Sequence, residues 1–63
     1  MPVITIAGNE RISTDEKRKM VKEVSKIVSK AYGLPIETIT VLIQGYNTEN
    51  VGVGGELLSD RGN

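Results

Sequence analysis

The sequence predicts an α+β fold with a single β-α-β unit, parallel strands and a short C-terminal hairpin. Two observations support this prediction. A long amphipathic pattern with helix-start and helix-stop residues separates two short β-branched runs, and glycines cluster near the end of the chain. The order strand, helix, strand favours parallel strands joined by a right-handed crossover. Residues 1–63 are interpreted as one domain.

The first strand is predicted at residues 3–6, a β-branched run. Pro2 precedes it and is tolerated there because the first residue of a strand need not donate to the ladder. The turn-forming residues Gly8 and Asn9 follow. The second strand is predicted at residues 39–44, which carry apolar side chains on both faces. One helix covers only one face, so the other is expected to pack against another subunit.

The helix is predicted to run from Thr14 to the neighbourhood of Tyr32. Ser13 and Glu16 have the spacing of a capping box, which favours a helix start at this point. Gly33 supplies a left-handed cap at the other end. The apolar stripe predicted to face the sheet consists of Met20, Val24, Ile27, Val28 and Ala31.

The C-terminal part of the chain is predicted to form a turn and a short hairpin. Glycine and asparagine residues are concentrated between Asn47 and Gly55. The run V-G-V-G-G-E is a poor match to a phosphate-binding loop, because no helix follows it. Residues 61–63 are predicted to be frayed.

The residue types that the chain lacks exclude several chemistries. It has no Cys and no His, which excludes a thiolate nucleophile, an imidazole base, a disulfide and an ordinary zinc site. Its 8 Lys and Arg balance 8 Asp and Glu, so it lacks the net positive charge typical of a nucleic-acid-binding protein. No apolar run approaches the roughly 18 residues that a membrane helix needs. We therefore expect no metal, no nucleic-acid or membrane partner, and a cytoplasmic location.

The length of the chain predicts self-association. A chain of 63 residues buries only about 60% of its unfolded surface. The apolar burial and the conformational entropy then nearly cancel, and neither a disulfide nor a metal adds stability. A homo-oligomer is the expected solution.

Pro2 is the candidate general base. Removal of Met1 would expose it as a secondary amine, whose nitrogen becomes a competent base near neutral pH when a partly desolvated site lowers its pKa. A proline inside the chain is acylated and has no basic nitrogen. Taken alone, Pro2 is weak evidence for catalysis, because a proline at this position usually just starts a strand or resists aminopeptidases.

Five segments carry a resemblance to a known family: P-V-I-T-I, V-K-E-V-S-K-I-V, G-L-P, V-L-I and V-G-V-G-G-E-L. They resemble the 4-oxalocrotonate tautomerase family over nearly the whole chain. The resemblance implies a tautomerase/MIF-like fold assembled into a hexamer. It also implies an isomerase without a cofactor, in which the amine of Pro2 moves a proton between the enol and keto forms of an unsaturated 2-oxo acid such as 2-hydroxymuconate.

The resemblance further implies a substrate site with two arginines and an aromatic residue. Arg11 is assigned the role of the first arginine, although the ungapped position is Ile12. Thr40 replaces the second arginine and Val51 replaces the aromatic residue. Losing one charge-assisted contact to a carboxylate costs about 1.5 to 3 kcal/mol, or roughly 10 to 150-fold. Turnover of dicarboxylates is therefore expected to be poor.

Two alternatives to a tautomerase of small-molecule carboxylates remain open. One keeps Pro2 as the base but changes the reaction to hydration, dehalogenation or decarboxylation of a related acid. The other is a non-catalytic oligomeric scaffold or binding protein of the same fold, in which Thr40 and Val51 mark a lost site.

Overall fold

A β-α-β unit forms the body of the protein in a computed structural model that describes residues 1–61. Its elements are β1 (Val3–Asn9), α1 (Thr14–Tyr32) and β2 (Thr40–Tyr46). The two strands pair in parallel, with Val3 beside Thr40 and Asn9 beside Tyr46. The predicted fold class is confirmed. Both strands run beyond their predicted ends, because the register continues through the residues after each apolar run.

Helix α1 begins and ends where the sequence predicts. The hydroxyl of Ser13 accepts a hydrogen bond from the backbone N–H of Glu16 (3.1 Å), and the Glu16 carboxylate accepts one from the N–H of Ser13 (3.2 Å), which completes the capping box. Gly33 ends the helix with a φ of 65°, a conformation that favours glycine. No helix within residues 1–61 is both long and apolar enough to cross a bilayer.

One face of the sheet is covered by α1 and the other is open. Side chains alternate between the two faces along a strand, and the half-buried Ile4, Ile6, Val41 and Ile43 share the covered face. The open face carries Val3 and Leu42, which are 54% and 48% exposed. The prediction of an uncovered sheet face is confirmed.

The predicted helix stripe is wrong at Ile27, which is 67% exposed. Met20, Val24 and Val28, the other large residues of the stripe, are half-buried. Ala31 is exposed. Two of the five predicted stripe residues are therefore exposed in the single subunit.

The C-terminal hairpin is confirmed. A 3-10 turn at Thr48–Asn50 leads into strands β3 (Gly52–Val53) and β4 (Glu56–Leu57), which pair antiparallel. The two linking glycines have φ angles of 63° and 88°, and positive φ at both positions is typical of a tight type I′ hairpin turn.

The predicted fraying is wrong for Arg61, which belongs to a 3-10 turn at Leu58–Arg61. Its guanidinium contacts the Glu56 carboxylate (3.1 Å) and the Val53 carbonyl (3.3 Å). These bonds tie the end of the described chain to both strands of the hairpin. Gly62 and Asn63, the other residues of that prediction, lie outside the described residues.

The part of the subunit that the structure describes lacks a core of its own. No hydrophobic side chain within residues 1–61 is fully buried. The accessible surface is 4978 Å², against about 4,000 Å² for a compact monomer of this mass. The radius of gyration is 15.0 Å, against about 11 Å for a compact domain of this length. The subunit therefore exposes much more surface than a self-sufficient domain would.

Candidate active site

Pro2 lies at the amino end of β1, directly beside the start of β2. Its carbonyl oxygen accepts a hydrogen bond from the backbone N–H of Thr40 (3.1 Å), and Pro2 is half-buried. This bond belongs to the first pair of the parallel ladder, Val3 and Thr40, and it holds the Pro2 backbone against β2. Two of the predicted site residues, Pro2 and Thr40, are thus neighbours.

The backbone segments around Pro2 contain no cationic residue. A 3-10 turn at Ile36–Thr38 leads into β2, and the Thr38 hydroxyl stabilises it by donating to the Pro35 carbonyl (2.7 Å). Neither this turn nor β1 nor β2 contains Lys or Arg, and Glu37 is the one charged residue among them. Any positive charge next to Pro2 must therefore come from another part of the chain or from another subunit.

Arg11 lies at the opposite end of the sheet from Pro2. It belongs to the loop that leaves the carboxyl end of β1, a strand of seven residues, which spans about 20 Å at roughly 3.3 Å per residue. Arg11 forms no ion pair with any residue in the range 1–61. It borders a cavity of about 190 Å³ that is lined by Asn9, Glu10, Arg11, Tyr46, Asn47, Thr48, Glu49 and Ser59.

Val51 also lies toward the Arg11 end of the sheet. It follows the 3-10 turn whose residues Thr48 and Glu49 border the Arg11 cavity. Its carbonyl accepts a hydrogen bond from the N–H of Leu58 (2.9 Å), and Val51 is half-buried at the base of the hairpin. One subunit thus brings Pro2 and Thr40 together at one end and places Arg11 and Val51 toward the other.

The Arg11 cavity is also lined by Asn9 and Tyr46. Asn9 and Tyr46 face each other across the paired strands, and the Tyr46 hydroxyl is 3.2 Å from the Gln44 side-chain oxygen. The sequence signal for this turn is an asparagine two residues before the loop arginine, a spacing typical of an Asx turn. In the described part of the chain, no group of three or more acidic residues is placed to hold a metal ion.

Comparison with known proteins identifies the family. The family model described as "Tautomerase enzyme" matches residues 2–61, nearly the whole chain and beginning at Pro2. The chain belongs to the Tautomerase family. This membership supports a tautomerase activity, which is an isomerase activity.

Named relatives agree with this assignment. A probable tautomerase of Listeria innocua is 40% identical over 60 residues, covering 95% of this chain and 98% of the relative. A 2-hydroxymuconate tautomerase of Pseudomonas putida is 32% identical over 59 residues, covering 94% of each chain.

Solved tautomerase structures have the same fold. A 4-oxalocrotonate tautomerase homologue superposes with a TM-score of 0.92 at 25% identity, covering all of both chains. A heterohexameric 4-oxalocrotonate tautomerase from Chloroflexus aurantiacus gives a TM-score of 0.86 at 23% identity, covering 95% of this chain and 97% of that one.

Proposed function

We propose that this protein is a cofactor-independent tautomerase that interconverts the enol and keto forms of an unsaturated 2-oxo acid. The amine of Pro2, freed by removal of Met1, is the general base. The observation that carries the proposal is the placement of Pro2, the first residue of the family match, at a fixed and half-buried position beside Thr40. Membership of the Tautomerase family supports the reaction class.

The chemistry requires only one proton carrier. The secondary amine of Pro2 takes the proton from the enol hydroxyl of the substrate, and the oxygen lone pair forms the C=O bond as the double bonds shift. The protonated amine then delivers the same proton to a carbon of the conjugated chain. No atom is gained or lost. Negative charge develops on the substrate oxygen during transfer, so a hydrogen-bond donor or a cation must stabilise it.

We propose that two subunits complete each site. Within one subunit about 20 Å of β1 separates Pro2 from Arg11, which is far longer than a six-carbon substrate. If neighbouring sheets run antiparallel, the Arg11 end of one subunit meets the Pro2 end of another. The exposed apolar surface of the single subunit supports such an assembly, and the heterohexameric homologue supports a homohexamer as its size.

We propose Arg11 as the ligand of the substrate carboxylate, with Thr40 and Val51 as the other substrate contacts. Arg11 forms no ion pair with residues 1–61, so its charge is available to an anion. Thr40 is neutral and adjoins Pro2, and Val51 offers only a small apolar side chain. A substrate with a single carboxylate suits this set better than a dicarboxylate.

The test combines mass spectrometry with an enol ketonisation assay. The intact mass of the protein from its native source should lack Met1. The assay uses 2-hydroxymuconate and phenylenolpyruvate, which carry two carboxylates and one. Changing Pro2→Ala should lower turnover strongly, because the backbone nitrogen of residue 2 becomes a freely rotating primary amine in place of a secondary amine held by the ring.

A matched control keeps Pro2 but blocks its nitrogen. Inserting an arginine between Met1 and Pro2 prevents removal of Met1, so the nitrogen of Pro2 stays an amide in an otherwise unchanged chain. This protein should fold, assemble and show no turnover. Full activity in the blocked protein, or a native mass that retains Met1, would exclude Pro2 as the base and favour the non-catalytic scaffold.

A further inference from the structure

The loop that carries Arg11 is held by hydrogen bonds at both of its ends. The backbone N–H of Arg11 donates to the side-chain oxygen of Asn9 (2.8 Å), which forms an Asx turn directly after β1. Two residues later Ser13 begins α1 through the capping box with Glu16. Only Glu10, Arg11 and Ile12 lie between Asn9 and this cap, so the Arg11 backbone has little conformational freedom.

A close contact with β2 holds the same loop against the sheet. A side-chain carbon added at Gly45 would lie 3.2 Å from both Cα and Cβ of Glu10, which is tighter than an ordinary van der Waals contact. The hydrogen of Gly45 therefore allows Glu10 to approach the strand. Glu10 directly precedes Arg11, so this contact is a third constraint on the position of the Arg11 backbone.

These constraints act on a residue whose guanidinium forms no ion pair with residues 1–61. The Asx turn orients the backbone of Arg11, and Arg11 lines the cavity at the carboxyl end of the sheet. Asn9 borders the same cavity. A loop backbone that is already fixed does not have to be ordered when the ligand binds, which lowers the entropic cost of binding.

We propose that Asn9 is a positioning residue for Arg11, holding it where the guanidinium receives the carboxylate of a substrate bound at the Pro2 end of a neighbouring subunit. The inference rests on the proposed function. Asn9 acts through the backbone N–H of Arg11. Its contribution to carboxylate binding therefore disappears when the Arg11 guanidinium is removed, even though the backbone hydrogen bond remains.

The test measures binding of sorbate, a conjugated six-carbon monocarboxylate with no enol hydroxyl, to the whole oligomer by calorimetry. Asn9→Ala should weaken binding roughly fivefold, because the hydrogen bond that positions the backbone of Arg11 is lost. Arg11→Ala should weaken it roughly 10 to 150-fold. Asn9→Ser should recover part of the loss, since a serine hydroxyl forms the same turn more weakly.

The double variant separates positioning from a general structural role. In the Arg11→Ala background, Asn9→Ala should have no further effect on sorbate binding. Ser29→Ala is the matched control, because it removes one side-chain hydrogen bond to a backbone carbonyl at the far end of α1. It should leave sorbate binding unchanged.

Three results would overturn the inference: a wild-type protein that does not bind sorbate, an Asn9→Ala variant with wild-type affinity, or an equal loss in both backgrounds. None of these measurements needs turnover. Failure of the proposed function is recognised separately, by full activity in the protein whose Pro2 nitrogen is blocked.

Discussion

Leu42→Glu tests whether the open face of the sheet is a subunit interface. Leu42 lies in the middle of β2, beside Thr5 of β1, and is 48% exposed in the single subunit. It points away from α1, since its neighbours Val41 and Ile43 are on the covered face. If a second subunit covers this face, the substitution places a carboxylate in an apolar interface.

The expected loss of assembly free energy follows from the exposure of Leu42. Full burial of a leucine side chain contributes about 1.5 to 3 kcal/mol. Roughly half of this side chain is still exposed in the subunit, so Leu42→Ala should cost about 1 kcal/mol per subunit. Burying an unpaired carboxylate adds several kcal/mol. Each 1.4 kcal/mol is a factor of ten, so Leu42→Glu should weaken association by more than about 100-fold per subunit.

Sedimentation velocity at micromolar concentration measures the result. The wild-type protein should sediment as an oligomer, Leu42→Ala as the same oligomer with weaker association, and Leu42→Glu as smaller species. Lys22→Glu is the control, because it places the same residue on the exposed surface of α1. It should leave the sedimenting mass of the oligomer unchanged. A Leu42→Glu protein with the wild-type mass and thermal stability would refute the assignment of this face to an interface.

Two further predictions concern the site and the helix. Thr40→Arg should raise kcat/KM for 2-hydroxymuconate relative to that for phenylenolpyruvate by roughly 10 to 150-fold, because the new arginine is a charge-assisted partner for a second carboxylate beside Pro2. If steady-state assays give an unchanged ratio, Thr40 lies away from the bound substrate. Ser13→Ala should cost about 1 kcal/mol by removing the helix cap and lower Tm by about 4 to 8 °C in a circular dichroism melt. A melting curve identical to wild type would count against the capping box.

The sequence by itself determined the features that depend on neighbouring residues. Ser13 and Glu16 are three residues apart, so the capping box forms within one turn. Gly33 ends α1 because few other residues adopt its positive φ. The glycine pair of the hairpin follows the same rule. The order strand, helix, strand was sufficient to predict the parallel pairing.

Only the tertiary structure decided which distant residues meet. It placed Pro2 beside Thr40 and left Arg11 at the far end of the sheet, an arrangement that depends on strand register rather than on spacing in the chain. It also showed Ile27 to be exposed in the single subunit, which the apolar periodicity of the helix alone did not predict. Side-chain periodicity is a local property, whereas packing depends on contacts between surfaces far apart in sequence.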